Sequence, residues 1–197
     1  MNIAHASITP QAGRKDITLT LPKDNTLLLP SGVQIPFRVV RPDDAPALQR
    51  LYARCSERTI YLRFFGLMKE LSDEKARYFA STDGADHFGL VALDPQDPNE
   101  IIAVVRYARK PGDERAEYAA LVEDRWQGQQ IGASLTHRLI EVARGNGVSF
   151  FYAFVKGENK RMLNVFRRLD LPEHERVENG EKIVEVGLSS EKVQRTG

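Results

Sequence analysis

A short segment between an apolar run and an amphipathic run has the composition of a phosphate-binding turn. Residues 127–133 read Gln-Gly-Gln-Gln-Ile-Gly-Ala. Small residues let a backbone approach an anion closely, and the first turn of a following helix presents unpaired N–H groups at the positive end of its dipole. The segment therefore predicts a site for a pyrophosphate, and the residues that would form it are Gln127, Gly128, Gln129, Gln130, Ile131, Gly132 and Ala133.

Strands and helices alternate around this segment, which indicates an α/β protein. Alternating or continuous apolar runs predict strands at residues 33–40, 87–93, 101–108, 116–122, 148–155 and 182–188. Capping residues and apolar stripes of helical period predict helices that begin near Asp44, Glu57, Ser72, Gln129 and Asn159. The segment at 127–133 thus joins a strand to a helix, which is where a phosphate site belongs.

The composition excludes several classes of function. The 197 residues include 28 basic and 27 acidic ones, so no overall charge attracts nucleic acid or an anionic membrane. No apolar run approaches the ~20 residues of a membrane-spanning helix, and no signal peptide is visible. The single Cys55 cannot form an intrachain disulfide, and the histidines lack metal-ligand spacing. We expect a cytoplasmic protein that uses no metal, nucleic acid or membrane.

Two parts of the chain differ in pattern. Residues 1–32 combine a stretch without apolar period, a short alternating run and a Pro-Ser-Gly turn, which predicts an N-terminal arm or small β appendage. Residues 33–190 carry the regular alternation of strands and helices and are predicted to form the main domain.

The order of these elements, with the turn at 127–133 and an Asn heading the next helix, resembles the GNAT superfamily of acyl-coenzyme A dependent N-acetyltransferases. The resemblance covers residues 33–188. The family fingerprint, Gln/Arg-x-x-Gly-x-Gly/Ala, falls on residues 127–132, with Gln130 where the family has Gly. A residue inside the first helical turn needs no positive φ, so we expect Gln130 to adopt an ordinary helical conformation.

The resemblance implies a fold, a cosubstrate and its contacts. The fold is a mixed, mostly antiparallel sheet of about six or seven strands, flanked by helices, with two central parallel strands that splay apart after Val122. Acetyl-CoA is the implied cosubstrate. Backbone groups near Leu121 and Val122 would pair with its pantetheine arm. Asn159 would reach the same arm, although an Asn caps a helix whatever the function.

The chain is still more similar to the bacterial protein lysine acetyltransferases within that superfamily. Five short segments carry this similarity: residues 41–44, 61–66, 116–119, 126–128 and 158–162. It implies a protein lysine as acceptor and Glu117 as the general base that deprotonates it, since a lysine amine is almost wholly protonated at neutral pH. Partial burial would raise the pKa of Glu117, whereas the alternative is a structural ion pair with Arg106 or Arg115.

Some positions leave other functions open. The residue that often serves as general acid in the superfamily, a Tyr, is Phe166 here, so no acid is named. A basic cluster in and before the last helix could meet coenzyme phosphate or be a solvated surface: Lys156, Lys160, Arg161, Arg167 and Arg168.

Two other functions therefore remain open. A small-molecule amine is an alternative acceptor. A degenerate domain that binds acyl-CoA without catalysis is another, favoured by Gln130, Phe166 and Asp170. A homodimer through the arm or the final strand is also an option.

Overall fold

One mixed sheet organises the part of the chain that the computed structural model describes, which is residues 25–66, 68–178 and 181–189. Its eight strands are β1 (Thr26–Leu28), β2 (Gln34–Val39), β3 (His87–Leu93), β4 (Ile101–Ala108), β5 (Arg115–Val122), β6 (Phe150–Val155), β7 (Glu173–Glu178) and β8 (Glu181–Gly187). Five α-helices accompany them: α1 (Ala45–Arg54), α2 (Glu57–Phe64), α3 (Asp73–Ala80), α4 (Ile131–Gly145) and α5 (Lys160–Arg167).

The strand order across the sheet is β1-β2-β3-β4-β5-β6-β8-β7. Neighbouring strands are antiparallel except for β5 and β6, which are parallel. The predicted mixed, mostly antiparallel sheet with one central parallel pair is therefore confirmed. The sheet has eight strands rather than about six or seven because β7, a strand whose six residues are all exposed, carries no apolar period.

The final strand does not offer the free edge that a dimer was expected to use. β8 lies between β6 and β7 and pairs with both. The free edge at this side of the described sheet belongs to β7, where charged residues alternate along the strand, an arrangement that discourages edge-to-edge pairing. The homodimer stays a prediction.

Each face of the sheet carries its own apolar core. One core packs α4 and α5 against the sheet, and the other packs α1, α2 and α3 against the opposite face. The alternation along β5 shows the two faces directly, because Tyr118 belongs to the first core and Leu121 to the second. We call these the α4 face and the α2 face.

Several helix starts follow from local sequence. Ser72 accepts a hydrogen bond from the Lys75 amide at 3.3 Å, and Asn159 accepts one from the Met162 amide at 3.1 Å. Both predicted caps are confirmed. Asp44 also precedes its helix, but its carboxylate binds the Arg38 guanidinium at 2.7 Å instead of the helix amides.

The predicted N-terminal appendage is described only in part. The alternating run at residues 16–21 lies outside the described residues. β1, within the same predicted segment, pairs with β2, and the side chains of Leu27 and Leu29 are buried in the core of the α4 face. The boundary at residue 33 stays a prediction.

The turn that follows β5 is anchored by a buried carboxylate. The Glu123 side chain is 5% exposed and receives Arg54 Nε at 2.9 Å and Arg125 Nε at 2.5 Å. Arg54 also binds Glu100 and donates to the Ile101 carbonyl at 2.7 Å. These bonds tie the end of α1 to the turn, and so they fix where the chain leaves the sheet.

We predict that Arg54→Met lowers the free energy of unfolding by about 3 kcal/mol, because it leaves a buried carboxylate with one partner fewer. Arg50→Met is the matched control. Arg50 also binds Glu100, at 2.6 Å, but its side chain is 48% exposed, so its loss should cost less than ~1 kcal/mol. Urea unfolding of both variants measures the difference, and equal effects would contradict the anchoring role of Arg54.

Candidate active site

The two parallel strands separate early. Their pairing runs from Arg115 with Phe150 to Glu117 with Tyr152, and ends there in the described sheet. β5 continues to Val122 against β4 alone. The prediction that the strands splay after Val122 is therefore wrong by five residues, because the apolar pattern specifies which faces are buried but not how far two strands stay paired.

The separation leaves one edge of β5 facing a gap. The Glu123 amide donates to the Ile102 carbonyl of β4 at 2.9 Å, and backbone groups alternate in direction along a strand. Those of Tyr118, Ala120 and Val122 consequently point away from β4 and into the gap. The backbone of Leu121 faces β4 and not the gap. Ala120, rather than Leu121, therefore offers its backbone N–H and C=O to the gap.

A cleft of about 290 Å³ occupies this gap and extends to the start of α4. It brings together most of the predicted coenzyme-binding residues: Leu121, Val122, Gln127, Gly128, Gln130, Ile131, Gly132, Ala133 and Asn159. Gln129 is not among its lining residues, and its side chain donates to the Arg125 carbonyl at 3.0 Å. Glu117 lies at the base of the gap without lining the cleft.

The start of α4 presents uncapped amides to the cleft. Ser134 is the first residue of this helix whose amide bonds to the preceding turn, at 2.9 Å from the Gln130 carbonyl. No side chain caps the helix. The amides of Ile131, Gly132 and Ala133 therefore combine with the dipole of a 15-residue helix, which is a favourable environment for a phosphate.

Gln130 does not have the conformation expected for it. The helix begins at Ile131, and Gln130 precedes it with φ 69°, in the left-handed region. The prediction of an ordinary helical φ is wrong, because the turn requires positive φ at both Gly128 (φ 79°) and Gln130. The exposed Gln130 side chain occupies a position where a glycine would have no steric cost.

Helix α2 forms the other wall of the cleft. The helix was predicted, but none of its residues was predicted to bind the coenzyme. Its contributions are Ser56, Arg58, Thr59, Leu62 and Arg63. The Asp124 carboxylate holds its start by accepting bonds from the Ser56 amide at 2.8 Å and the Thr59 hydroxyl at 2.9 Å. Spacings of three and four residues place these side chains on one side of the helix. This spacing was the feature of the sequence from which a shared wall could have been predicted.

Gln127 connects three elements at the mouth of the cleft. Its Nε2 donates to the Val122 carbonyl at 2.8 Å and to the Thr59 hydroxyl at 3.2 Å. Its Oε1 accepts a bond from Arg161 of α5. The fingerprint glutamine therefore positions the turn, and its side chain also satisfies a β5 carbonyl that the splay leaves without a strand partner.

The predicted basic cluster is divided by the structure. Arg161 and Arg168 line the cleft, together with Arg58 from α2, and give it positive charge. Lys160 and Arg167 are exposed and do not line it. Lys156 lies on the α2 face instead, against aromatic rings.

Glu117 is half-buried on the α2 face, at the last paired position before the splay. Burial raises the pKa of its carboxyl, and the neighbouring Arg63 and Arg106 only partly oppose that rise. Among the described residues no cation lies within 4 Å of it. Arg115 pairs with Glu185, and Arg106 donates to the Tyr78 carbonyl at 3.3 Å. The alternative, a structural ion pair with Arg106 or Arg115, is not formed.

Tyr118 lines the cleft, but its hydroxyl is not free to give a proton in place of Phe166. The Thr136 hydroxyl donates to the Gly132 carbonyl at 2.6 Å, so it accepts the bond from the Tyr118 hydroxyl, also at 2.6 Å. Burial also raises the pKa of Tyr118. Phe166 is buried against the Tyr118 ring, with centroids 5.3 Å apart, and lies outside the cleft.

Comparison with known proteins assigns the family. The profile of the Acetyltransferase (GNAT) family matches residues 45–170. The chain belongs to the GNAT acetyltransferase family. It is 34% identical over 138 residues to acetyltransferase Pat of Mycolicibacterium smegmatis, covering 68% of this chain and 40% of Pat. An acetyltransferase of Pseudomonas aeruginosa is 29% identical over 135 residues, 68% of this chain and 73% of that protein.

Solved GNAT structures share the architecture. The GNAT domain of S. lividans PAT is 30% identical, with a TM-score of 0.75 over 81% of this chain and 94% of that domain. The structure of yncA from Salmonella typhimurium with its cofactor acetyl-CoA is 14% identical, with a TM-score of 0.61 over 83% of this chain and 99% of that one. The second similarity shows the GNAT fold alone.

The described residues contain neither a membrane-spanning helix nor a grouped set of metal ligands. Within residues 25–66, 68–178 and 181–189, no helix has the length and apolar composition needed to cross a bilayer. In the same ranges, no three His, Cys, Asp or Glu side chains are grouped to hold a metal ion. Independence from metal stays a prediction.

We predict that Gln130→Gly raises the free energy of unfolding by about 1 kcal/mol, because a left-handed non-glycine residue costs roughly 1–2 kcal/mol. Gln129→Gly is the matched control, since Gln129 has no positive φ, and it should be neutral or destabilising. Thermal unfolding should show Gln130→Gly melting about 2–4 °C higher than the wild type. A lower melting temperature would show that the Gln130 side chain contributes to the turn.

Proposed function

We propose that the cleft binds acetyl-CoA with its pyrophosphate at the start of α4 and its pantetheine arm in the gap beside β5. The uncapped amides of Ile131, Gly132 and Ala133 and the side chains of Arg58, Arg161 and Arg168 supply the positive charge that a pyrophosphate needs. The backbone groups of Ala120 and Val122 suit the arm's amides, which would replace the missing strand partner. Membership of the Acetyltransferase (GNAT) family supports this choice of ligand.

The reaction we propose is direct transfer of the acetyl group to an amine, with Glu117 as general base. The observation that carries this proposal is the position of Glu117, half-buried and without an ion pair in the described structure, at the base of the splay. The amine nitrogen attacks the thioester carbonyl, its proton passes to Glu117, and the carbon–sulfur bond breaks. Water protonates the leaving thiolate, since neither Tyr118 nor Phe166 offers a proton.

A protein lysine is the acceptor we favour. The resemblance to the bacterial protein lysine acetyltransferases supports this acceptor, although the chain matches 40% of the length of acetyltransferase Pat. The acceptor must approach Glu117 from the α2 face, because the side chains of Ala116 and Tyr118 point into the core of the opposite face. A screen of proteins and small amines, measured by thiol release, distinguishes the two acceptor classes.

Calorimetric titration with acetyl-CoA tests the coenzyme site before any acceptor is known. We expect 1:1 binding that weakens at least tenfold in Arg161→Met, because a cation at the cleft mouth is lost. Arg167→Met is the matched control, since Arg167 lies on the same helix but does not line the cleft. No binding of acetyl-CoA or any longer acyl-CoA by the wild type would refute the coenzyme site.

We predict that Glu117→Gln lowers kcat by about 100-fold or more and changes the affinity for acetyl-CoA by less than about twofold, because general base catalysis contributes 10²–10⁴. The carboxylate is the active form. Wild-type kcat/KM should therefore rise with pH through the pKa of Glu117, which lies above the ordinary 4.5, and this limb should be absent from the variant.

The same raised pKa has a consequence for stability. Burial disfavours the ionised Glu117 in the folded state, so the folded state binds a proton more tightly than the unfolded one. Stability should fall as pH rises from about 4.5 through the raised pKa, and then level off. Glu117→Gln should remove this fall in stability.

Full catalytic activity in Glu117→Gln would refute the assignment of Glu117 as general base.

A domain that binds acyl-CoA without catalysis is the second candidate. Its support is Gln130, which departs from the family glycine and adopts the strained conformation. Thiol release above the uncatalysed rate with any amine would exclude it. Tight binding of acetyl-CoA without turnover over a broad acceptor screen would favour it instead.

A further inference from the structure

Two aromatic rings at the end of α2 hold the ammonium group of a lysine. Tyr61 and Phe65 are four residues apart, and both rings contact the same lysine. Lys156, directly after β6, places its Nζ 4.9 Å from the centroid of the Tyr61 ring and 5.0 Å from that of Phe65. Both distances lie within the range of a cation–π interaction. We call Tyr61 and Phe65 the ring pair.

The ring pair is a cation site rather than part of an ion-pair network. In the described chain no carboxylate lies within 4 Å of Lys156, so the two ring faces are the groups that neutralise its charge. All three side chains are half-buried, which strengthens the attraction relative to open water.

The backbone that positions one of these rings is strained. Phe65 has φ 61° and follows the last residue of α2. A bulky residue in the left-handed region is an outlier, and Gly66, the next residue, would adopt that conformation without cost. The strained conformation persists at Phe65, and it positions the Phe65 ring against the same lysine as the Tyr61 ring.

The ring pair lies on the face from which an acceptor reaches Glu117. Phe151, Ala153 and Val155 of β6 belong to the core of the α4 face, so the residues that alternate with them lie on the α2 face. Glu117 is in register with Tyr152. Lys156 is four residues further on, which corresponds to about 13 Å along an extended strand.

The ring pair holds the side chain of Lys156, so it is distinct from the position of the reacting amine beside Glu117. An ammonium group held over aromatic rings is stabilised in its protonated form, whereas the nucleophile must be neutral. The ring pair therefore suits a second cation, about four residues of extended chain away from the lysine that reacts.

We propose that the ring pair is a binding subsite for a basic side chain of the acceptor protein, located about four residues from the acetylated lysine, and that Lys156 fills this subsite until the acceptor displaces it. The inference rests on the proposed function, since it assumes a protein acceptor. It adds a preference for lysines that have a second basic residue at this spacing.

The test measures binding of fluorescent peptides by anisotropy, in the presence of saturating coenzyme A and independently of acetyl transfer. Norleucine replaces the reactive lysine in each peptide, and the residues four positions before and after it are either lysine or norleucine. We expect the lysine peptide to bind about fivefold more tightly to the wild type. Lys156→Met should increase that ratio further, because it removes the competing ammonium.

Matched variants separate the ring pair from general charge effects. Tyr61→Leu combined with Phe65→Leu keeps apolar bulk but removes both ring faces, so the ratio should fall to about one. Lys110→Met removes an exposed lysine from the turn between β4 and β5, and it should leave the ratio unchanged. Acetyl-CoA titration of each variant confirms that the fold is retained.

The outcomes distinguish this inference from the proposed function. Equal affinity for the two peptides in the wild type and in Lys156→Met would overturn the subsite, as would a preference that survives the loss of both rings or a failure of every peptide to bind. A ring-dependent preference, with no acetylation of the same peptide when lysine is restored at the reactive position, would leave the subsite intact and contradict the proposed protein acceptor.

Discussion

The site depends on one interruption of backbone pairing. β5 and β6 stay paired only as far as Glu117 and Tyr152. Had they paired along their whole length, the edge of β5 would be satisfied, no gap would exist, and Glu117 would lie inside a continuous sheet. Unpaired backbone groups are costly when buried, so the gap requires either a ligand that pairs with them or a side chain that does so. Gln127 supplies one such bond, to the Val122 carbonyl.

The turn after β5 converts this interruption into a stable cleft. Three consecutive residues hold it from different directions. Glu123 binds Arg54 of α1, Asp124 binds the start of α2, and Arg125 binds Asp94 beyond β3 at 2.6 Å. The hydrogen bonds that Asp124 accepts outweigh its partial burial and lower its pKa, so its charge persists at neutral pH. The uncapped start of α4 is thereby fixed relative to the gap.

Local signals were sufficient for most elements, although not for β7, which carries no apolar period. The other missing information concerned pairing and backbone angles. Caps such as Ser72 and Asn159 are encoded within four residues, so both helix starts were predictable. The extent of pairing between β5 and β6 is a tertiary property that periodicity does not report. Gln130 and Asp170 are not glycines, yet both adopt positive φ, 69° and 51°. At Gln130 the sequence departs from the fingerprint, while the turn keeps the positive φ that a glycine would adopt without strain.

Helix α2 is attached at its two ends to the two separated strands. Asp124, in the turn after β5, holds its start, and Lys156, directly after β6, holds the rings at its end. An eight-residue helix is too short to be stable by itself. Releasing one attachment therefore removes part of what keeps the segment helical. We expect access to Glu117 from this side to depend on the local stability of α2, which these two attachments and the buried Ile60 maintain.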